Sequence, residues 1–188
     1  MTLKLTPDDV NDYWTERKNH DLYRLTKSLS MALFPYAESA IDVGCFTSGL
    51  ICELDWIKRR VATDIDQSIE KNWRNVYGVE FINYDAFSIS FSEPFDLVIC
   101  NQTIEHLDDP QLFCQKLLSL GRGLIVSTTY EVKAGLIPGH VQDPIDLSKF
   151  ESFFDCSLDT YCICHHPSNL SIKHIIGVIK QSHPSSRS

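Results

Sequence analysis

Residues 40–50 read AIDVGCFTSGL: a short apolar run, an acid at position 42, a glycine at 44 and a second at 49. An apolar strand that stops at a glycine lets the backbone turn tightly, and in an open parallel sheet that turn lies where ligands bind, beyond the carboxyl end of the strand. The reading gains weight from what recurs downstream. Residues 59–66 (RRVATDID) give a second strand ending in Asp64-Ile65-Asp66, about twenty residues on, the separation at which an acid can take both hydroxyls of a ribose. Residues 79–85 (VEFINYD) lead into Asp85-Ala86-Phe87, where a carboxylate can accept an adenine amino group beside an aromatic ring. Residues 94–102 (PFDLVICNQ) form a strongly apolar strand ending in Asn101-Gln102, followed by Glu105-His106.

Helical stretches separate these strands: residues 48–57 (SGLICELDWI), 67–77 (QSIEKNWRNVY) and, before a fifth strand at 123–130, 110–120 (PQLFCQKLLSL). Strands alternating with helices of about ten residues imply crossover connections and a mainly parallel sheet covered on both faces. A further helix over 144–154 precedes two strands, near 159–165 and 171–181, with no helix between them, so that pair is antiparallel. Residues 8–34 carry Tyr13, Trp14, Leu22, Leu25, Leu29 and Leu33 at helical spacing and predict one or two amphipathic helices ending at Pro35.

At 188 residues and 43% hydrophobic, the chain supports one core, so residues 1–180 are read as one domain and 181–188 (QSHPSSRS) as a disordered tail. A net charge of -8, with no basic cluster longer than Lys58–Arg60, argues against nucleic-acid binding. No stretch approaches the roughly 20 apolar residues of a membrane span, and the first residues lack a signal-peptide core, which predicts a soluble cytoplasmic protein. Seven cysteines, an odd number lying mostly in apolar segments, suit reduced buried thiols. The cluster YCICHHP (161–167) alternates faces along a strand and cannot close on one tetrahedral ion, so no metal site is expected.

The order Asp-x-Gly at Asp42 and Gly44, then Asp64, then Asp85, then FDLVICNQTIEHL (95–107), resembles the class I S-adenosylmethionine-dependent methyltransferases over roughly residues 36–130. The resemblance implies an α/β fold: a Rossmann-like three-layer sandwich around a seven-stranded, mostly parallel sheet with one antiparallel strand. It implies S-adenosyl-L-methionine as cofactor, the glycine loop (Asp42, Gly44, Phe46) holding the methionine end, Asp64 with Ile65 the ribose, and Asp85 with Ala86 the adenine. Asn101, where the fourth strand stops, completes the expected cofactor set. The family loop is acid-x-Gly-x-Gly-x-Gly, whereas Phe46 and Ser48 stand at its second and third glycine positions here. A methyltransferase ligand has no pyrophosphate at this turn, so the departure weighs more against a NAD-dependent dehydrogenase than against a methyltransferase.

An imidazole can take a proton from an attacking hydroxyl or amine near neutral pH, which makes His140 a candidate general base, with His106 its rival. Asp109 before Pro110 reads as an N-cap and first helical residue, and Asp143-Pro144 likewise as a helix start, so Asp143 is read as a cap. Tyr13, Trp14 and Arg17 are read as a lid over the site, within the helical segment 8–34. The expected activity is methyl transfer to an oxygen or nitrogen of a small-molecule acceptor, a sugar or other metabolite; the start YW.ER (13–17) and the H..DPID segment (140–146) also resemble, more weakly, small bacterial methyltransferases of surface-sugar biosynthesis. The alternative is a non-catalytic binding or scaffold protein on the same fold.

Overall fold

The computed structural model describes residues 12–74, 76 and 78–181. The predicted start of the lid at 8–11 and all of the predicted tail except Gln181 lie outside the described residues. Two helices open the chain, α1 (Asp12–Arg17) and α2 (Asp21–Leu33). Thr26 and Ser30 are buried on α2, and each hydroxyl is satisfied by the carbonyl one turn back, on Leu22 and Thr26 at 2.8 Å.

Seven strands follow: β1 (Ser39–Val43), β2 (Arg59–Asp64), β3 (Glu80–Asn83), β4 (Leu97–Asn101), β5 (Gly123–Tyr130), β6 (Thr160–His166) and β7 (Asn169–Lys180). They form one sheet in the order β3-β2-β1-β4-β5-β7-β6. All pairings from β3 to β5 are parallel, while β7 runs antiparallel to both β5 and β6. The expected seven-stranded sheet with one reversed strand is therefore observed. β1, β4 and β5 are buried almost throughout, which is why they read as continuous apolar runs rather than alternating ones.

Helices cover both faces. One apolar core gathers Trp14, Leu22, Leu50, Leu54 and Trp73 against Ile99 and Ile125. The other packs Phe113 and Leu117 of α4 (Pro110–Leu120) and Phe150 of α5 (Leu147–Ser152) against Ile41, Val98 and Ile175. Asp109 caps α4 by accepting from the Leu112 N–H, with Pro110 at its first turn, as the sequence predicts.

Three predicted helices are much shorter than expected, that over 144–154 being reduced to α5. Residues 48–57 contain a single 3-10 turn, Leu50–Glu53, and the backbone bonds there run from Cys52 to Gly49, Leu54 to Ile51 and Ile57 to Leu54. The apolar spacing of Leu50, Ile51, Leu54 and Ile57 still turns these side chains into the core, so the periodicity survives where continuous helical bonding does not. Residues 67–77 likewise contain a 3-10 turn, Gln67–Ile69, running into the short α3 (Glu70–Trp73).

Candidate active site

Strand order reverses between β1 and β4, the place where a doubly wound sheet opens a crevice at its carboxyl ends. A cleft of about 490 Å³ lies there. All eight positions expected to face a cofactor line it: Asp42, Gly44 and Phe46 after β1, Asp64 and Ile65 after β2, Asp85 and Ala86 after β3, and Asn101 at the end of β4. Tyr13 of α1 and Tyr23 of α2 line it from the other side, their hydroxyls 3.2 Å apart. Of the expected lid residues, Trp14 is instead buried in the core, and the Arg17 guanidinium lies 4.1 Å from the Tyr13 ring centroid.

The loop after β1 shows how two missing glycines are accommodated. Gly44 has φ +72°, and a Cβ there would stand 2.5 Å from the Thr103 hydroxyl, so only glycine fits. Phe46 also turns left-handed, at φ +44°, a conformation that costs a non-glycine residue about 1–2 kcal/mol. Three contacts hold it. Its N–H donates to Asp64 Oδ2 at 2.7 Å, its carbonyl accepts from Trp73 Nε1 at 2.9 Å, and its ring meets Tyr13 edge-on with centroids 5.2 Å apart. The loop thus takes a left-handed turn with a phenylalanine at the second glycine position, and the ring lines the cleft without closing it.

The acids differ in environment. Asp64 accepts two backbone N–H groups, from Phe46 (2.7 Å) and Asp66 (2.9 Å), so it pins the loop while facing the cleft. Asp85 accepts from the Phe87 N–H at 3.0 Å and is otherwise open to solvent. Asp42 is only 2% exposed; burial, reinforced by the nearby Asp64 charge, raises its pKa to about 8. Beside it, Asn101 Oδ1 accepts from Ser127 at 2.7 Å, whereas its Nδ2 is a buried donor with no partner among the described residues.

The fourth strand leads into a second cluster. His106 lines the cleft, and its ring stands edge-on to that of His140, centroids 4.7 Å apart. The two rivals of the sequence reading are thus neighbours. His106 Nδ1 lies 3.0 Å from the Gly139 carbonyl, and His140 Nδ1 lies 2.8 Å from Asp143 Oδ2. A carbonyl and a carboxylate accept, so each Nδ1 carries a proton, and in the neutral ring the lone pair is on Nε2. His140 does not itself line the cleft, and its side chain is 6% exposed. Asp143 is not a helix cap, contrary to the sequence reading: Asp146 caps α5 by accepting from the Lys149 N–H, and Asp143 instead binds His140 and the Thr129 hydroxyl at 2.8 Å. A buried carboxylate with two side-chain donors has no need of a helix end.

Glu105 was not singled out in the sequence, yet it is fully buried next to both imidazoles, and burial raises its pKa to about 7. Thr128 donates to its Oε2 at 2.9 Å. With the Gln102 amide turned so that donors meet acceptors, Gln102 donates to Glu105 Oε1 (3.2 Å) and to His174 Nδ1 (2.9 Å). His174 is held neutral, its pKa lowered to about 4 by burial and then by His166, His20 and His140. A buried acid beside a histidine in a strand-end sequence was the available signal for Glu105; its partner His140 lies too far along the chain for spacing to reveal the pairing. All seven cysteines are free, and YCICHHP forms part of the β6–β7 hairpin with Cys164 buried.

Residues 41–122 match the family model described as a methyltransferase domain. No curated protein matches the chain by sequence. Among solved structures, the N-methyltransferase NodS of Bradyrhizobium japonicum WM9, in complex with S-adenosyl-L-homocysteine, is similar with a TM-score of 0.68 at 15% identity, over 91% of this chain and 93% of that one. The magnesium protoporphyrin IX methyltransferase ChlM of Synechocystis PCC 6803, with bound S-adenosyl-L-homocysteine, gives 0.66 at 16% identity over 85% and 82%. The [4+2]-cyclase SpnF gives 0.66 at 12% identity over 85% and 80%. Such identities establish the fold, which different reactions share. No described helix is long and apolar enough to cross a membrane.

Proposed function

We propose that the chain, which has the class I methyltransferase fold and matches a methyltransferase-domain family model over residues 41–122, binds S-adenosyl-L-methionine and methylates an oxygen or nitrogen of a small-molecule acceptor, a sugar or other metabolite. The observation that carries this is the meeting of acids from three successive strand ends, Asp42, Asp64 and Asp85, in one cleft at the switch point. The residues fit the cofactor. No hydrogen bond to Asp42 from the described residues contributes to its pKa, and Asn101 Nδ2 has no acceptor among them, a pair that complements the ammonium and carboxylate of an amino-acid end. Asp64 keeps lone pairs for ribose hydroxyls after accepting its two N–H groups, and Asp85 is open for an adenine amino group, with Ala86 and Phe87 beside it.

Bound there, the cofactor supplies a methyl group already activated by its sulfonium. What remains for the protein is alignment, exclusion of water and handling of the acceptor's proton. Tyr13 and Tyr23 add their rings to the lining of the same cleft, where a metabolite-sized acceptor would meet the cofactor. His106, which lines the cleft, serves as proton acceptor through Nε2, and His140, held by Asp143, lies against its ring. Residues 1–180 act as one domain in this reading.

Calorimetry with S-adenosyl-L-homocysteine tests it. One equivalent should bind, and Asp64→Ala should weaken binding by about 1–3 kcal/mol through loss of hydrogen bonds to ligand and loop. Binding of NAD in its place, or no heat and no thermal shift with either ligand, would refute the proposal, the latter result favouring a scaffold role.

A further inference from the structure

We propose that Glu105, His106 and His140 form a binding site for a divalent first-row transition ion at the acceptor end of the cleft. One donor atom of each lies within 4.8 Å of those of the other two, and this is the group of three metal-ligating side chains found among the described residues. Donors about 2.1 Å from a common ion stand roughly 3–4 Å apart, so an adjustment of about 1 Å closes the set.

A second observation points the same way. A metal-ligating histidine almost always gives its other ring N–H to a carboxylate or a backbone carbonyl, which fixes the tautomer and aims the free lone pair. Both arrangements are present: His140 Nδ1 on Asp143 at 2.8 Å, and His106 Nδ1 on the Gly139 carbonyl at 3.0 Å. Asp143 is held in turn by Thr129, and Glu105 by Thr128 and Gln102. Each carboxylate is oriented by hydroxyl or amide donors, and among the described residues no lysine or arginine is paired with Glu105. A buried carboxylate with a ring nitrogen of two imidazoles within 4.8 Å has a ready explanation if a cation joins them.

Imidazole nitrogen favours Zn²⁺, Fe²⁺, Co²⁺ or Mn²⁺ over Mg²⁺ or Ca²⁺, which take oxygen. Three protein ligands leave coordination positions open, and His106 lines the cleft, so the open positions face the acceptor. The role rests on the function proposed above and deepens it, the ion replacing His106 Nε2 as the agent of deprotonation: it would ligate an acceptor hydroxyl, whose O–H bond breaks with the proton passing to water and the electron pair staying on oxygen. It also resolves a geometric difficulty, because His140 is shielded from the cleft and cannot meet the acceptor directly, whereas an ion between the two rings can. The acceptor class is thereby narrowed to one offering oxygen ligands.

The experiment is titration of the full chain, stripped by chelator, with Co²⁺ alone, followed by absorption and calorimetry. Expected are one equivalent bound, a ligand-field spectrum of nitrogen and oxygen ligation without thiolate charge transfer, and an affinity loss of tenfold or more in Glu105→Gln, His106→Ala and His140→Ala. Asp143→Asn should lose about tenfold through misorientation of His140. His106 is exposed, so its variant keeps the test alive if the buried ones fail to fold. Absence of stoichiometric uptake, uptake indifferent to all the substitutions, or a thiolate band from the cysteines would overturn the proposal. Calorimetry with S-adenosyl-L-homocysteine on the same preparations keeps the two readings apart: cobalt uptake without nucleoside binding supports the ion site while sinking the methyltransferase reading.

Discussion

Replacing Asp42 by asparagine should make the ligand-free protein more stable at neutral pH. Burial and the Asp64 charge raise the Asp42 pKa from 3.8 to about 8. A carboxylate whose folded pKa is raised contributes its full stability below the unfolded pKa and loses it as pH rises through the folded one, so the window runs from about pH 4 to about pH 8. At pH 7 the unfolded chain is ionised and the folded chain mostly neutral, a difference of about 3 pK units, or on the order of 4 kcal/mol against folding. The asparagine amide avoids that cost but is itself buried, and an unpaired amide costs about 1–3 kcal/mol. The net expectation is a gain of about 1–3 kcal/mol at pH 7, shrinking to nothing or reversing near pH 4. Glu105 titrates in both proteins and cancels in the difference. Urea denaturation followed by tryptophan fluorescence at several pH values reads it directly. A wild-type to variant difference that does not change between pH 4 and pH 8 would refute the reasoning. The same variant should bind S-adenosyl-L-homocysteine more weakly, since it loses the carboxyl that would ionise on meeting the ligand's ammonium group. On the proposed function, Asp42 is a residue that binding retains and stability disfavours.

Other outcomes follow from the same geometry. Gly44→Ala should destabilise by about 1–3 kcal/mol, from its left-handed φ and the 2.5 Å approach to Thr103, as measured by thermal and urea melts; an unchanged midpoint would contradict the loop geometry. Phe46→Gly should relieve roughly 1 kcal/mol of backbone strain while losing the edge contact with Tyr13, leaving S-adenosyl-L-homocysteine affinity within a few fold by calorimetry; abolished binding would show that the ring itself grips the ligand. His174, lowered to about 4 from 6.5, contributes stability that is present above pH 6.5 and lost as pH falls through 4, so His174→Gln should flatten the acid limb of the stability curve; an unaltered limb would show that another group sets it.

The first half of the sheet was legible because its central parallel strands are apolar runs, and each strand stops at or near an acid or amide. Asp42, Asp64, Asp85 and Asn101 sit at strand ends, and a strand end is the most local event in this fold. Helix lengths were less legible. Leu50, Ile51, Leu54 and Ile57 have helical spacing, but most of the crossover from Val43 to Arg59 is taken up by turns, leaving one 3-10 turn to bury the same side chains. The histidine–carboxylate cluster was only half visible. His106 and His140 each stood out as lone bases, but the loop that returns past the β5 end makes them neighbours, and it does so through Val141 and Gln142 N–H groups bonded to the Glu105 carbonyl. Asp143 was misread for the same reason: before a proline and near a helix start a cap is the local answer, and its true partners are His140 and, on β5, Thr129.

The antiparallel insertion of β7 between β5 and β6 has a bearing on biosynthesis. β5 lies between β4, made some twenty residues before it, and β7, whose last residues pair with its first: Gly123 with Lys180, Leu124 with Ile179. On the ribosome, the apolar run GLIVSTTY therefore emerges with one flank still bare, and that flank is covered only after about fifty further residues have been translated. A pause in that interval would leave an adhesive ribbon available to other nascent chains, which gives the cell a reason to shelter this half-made protein with a chaperone until its last strand arrives.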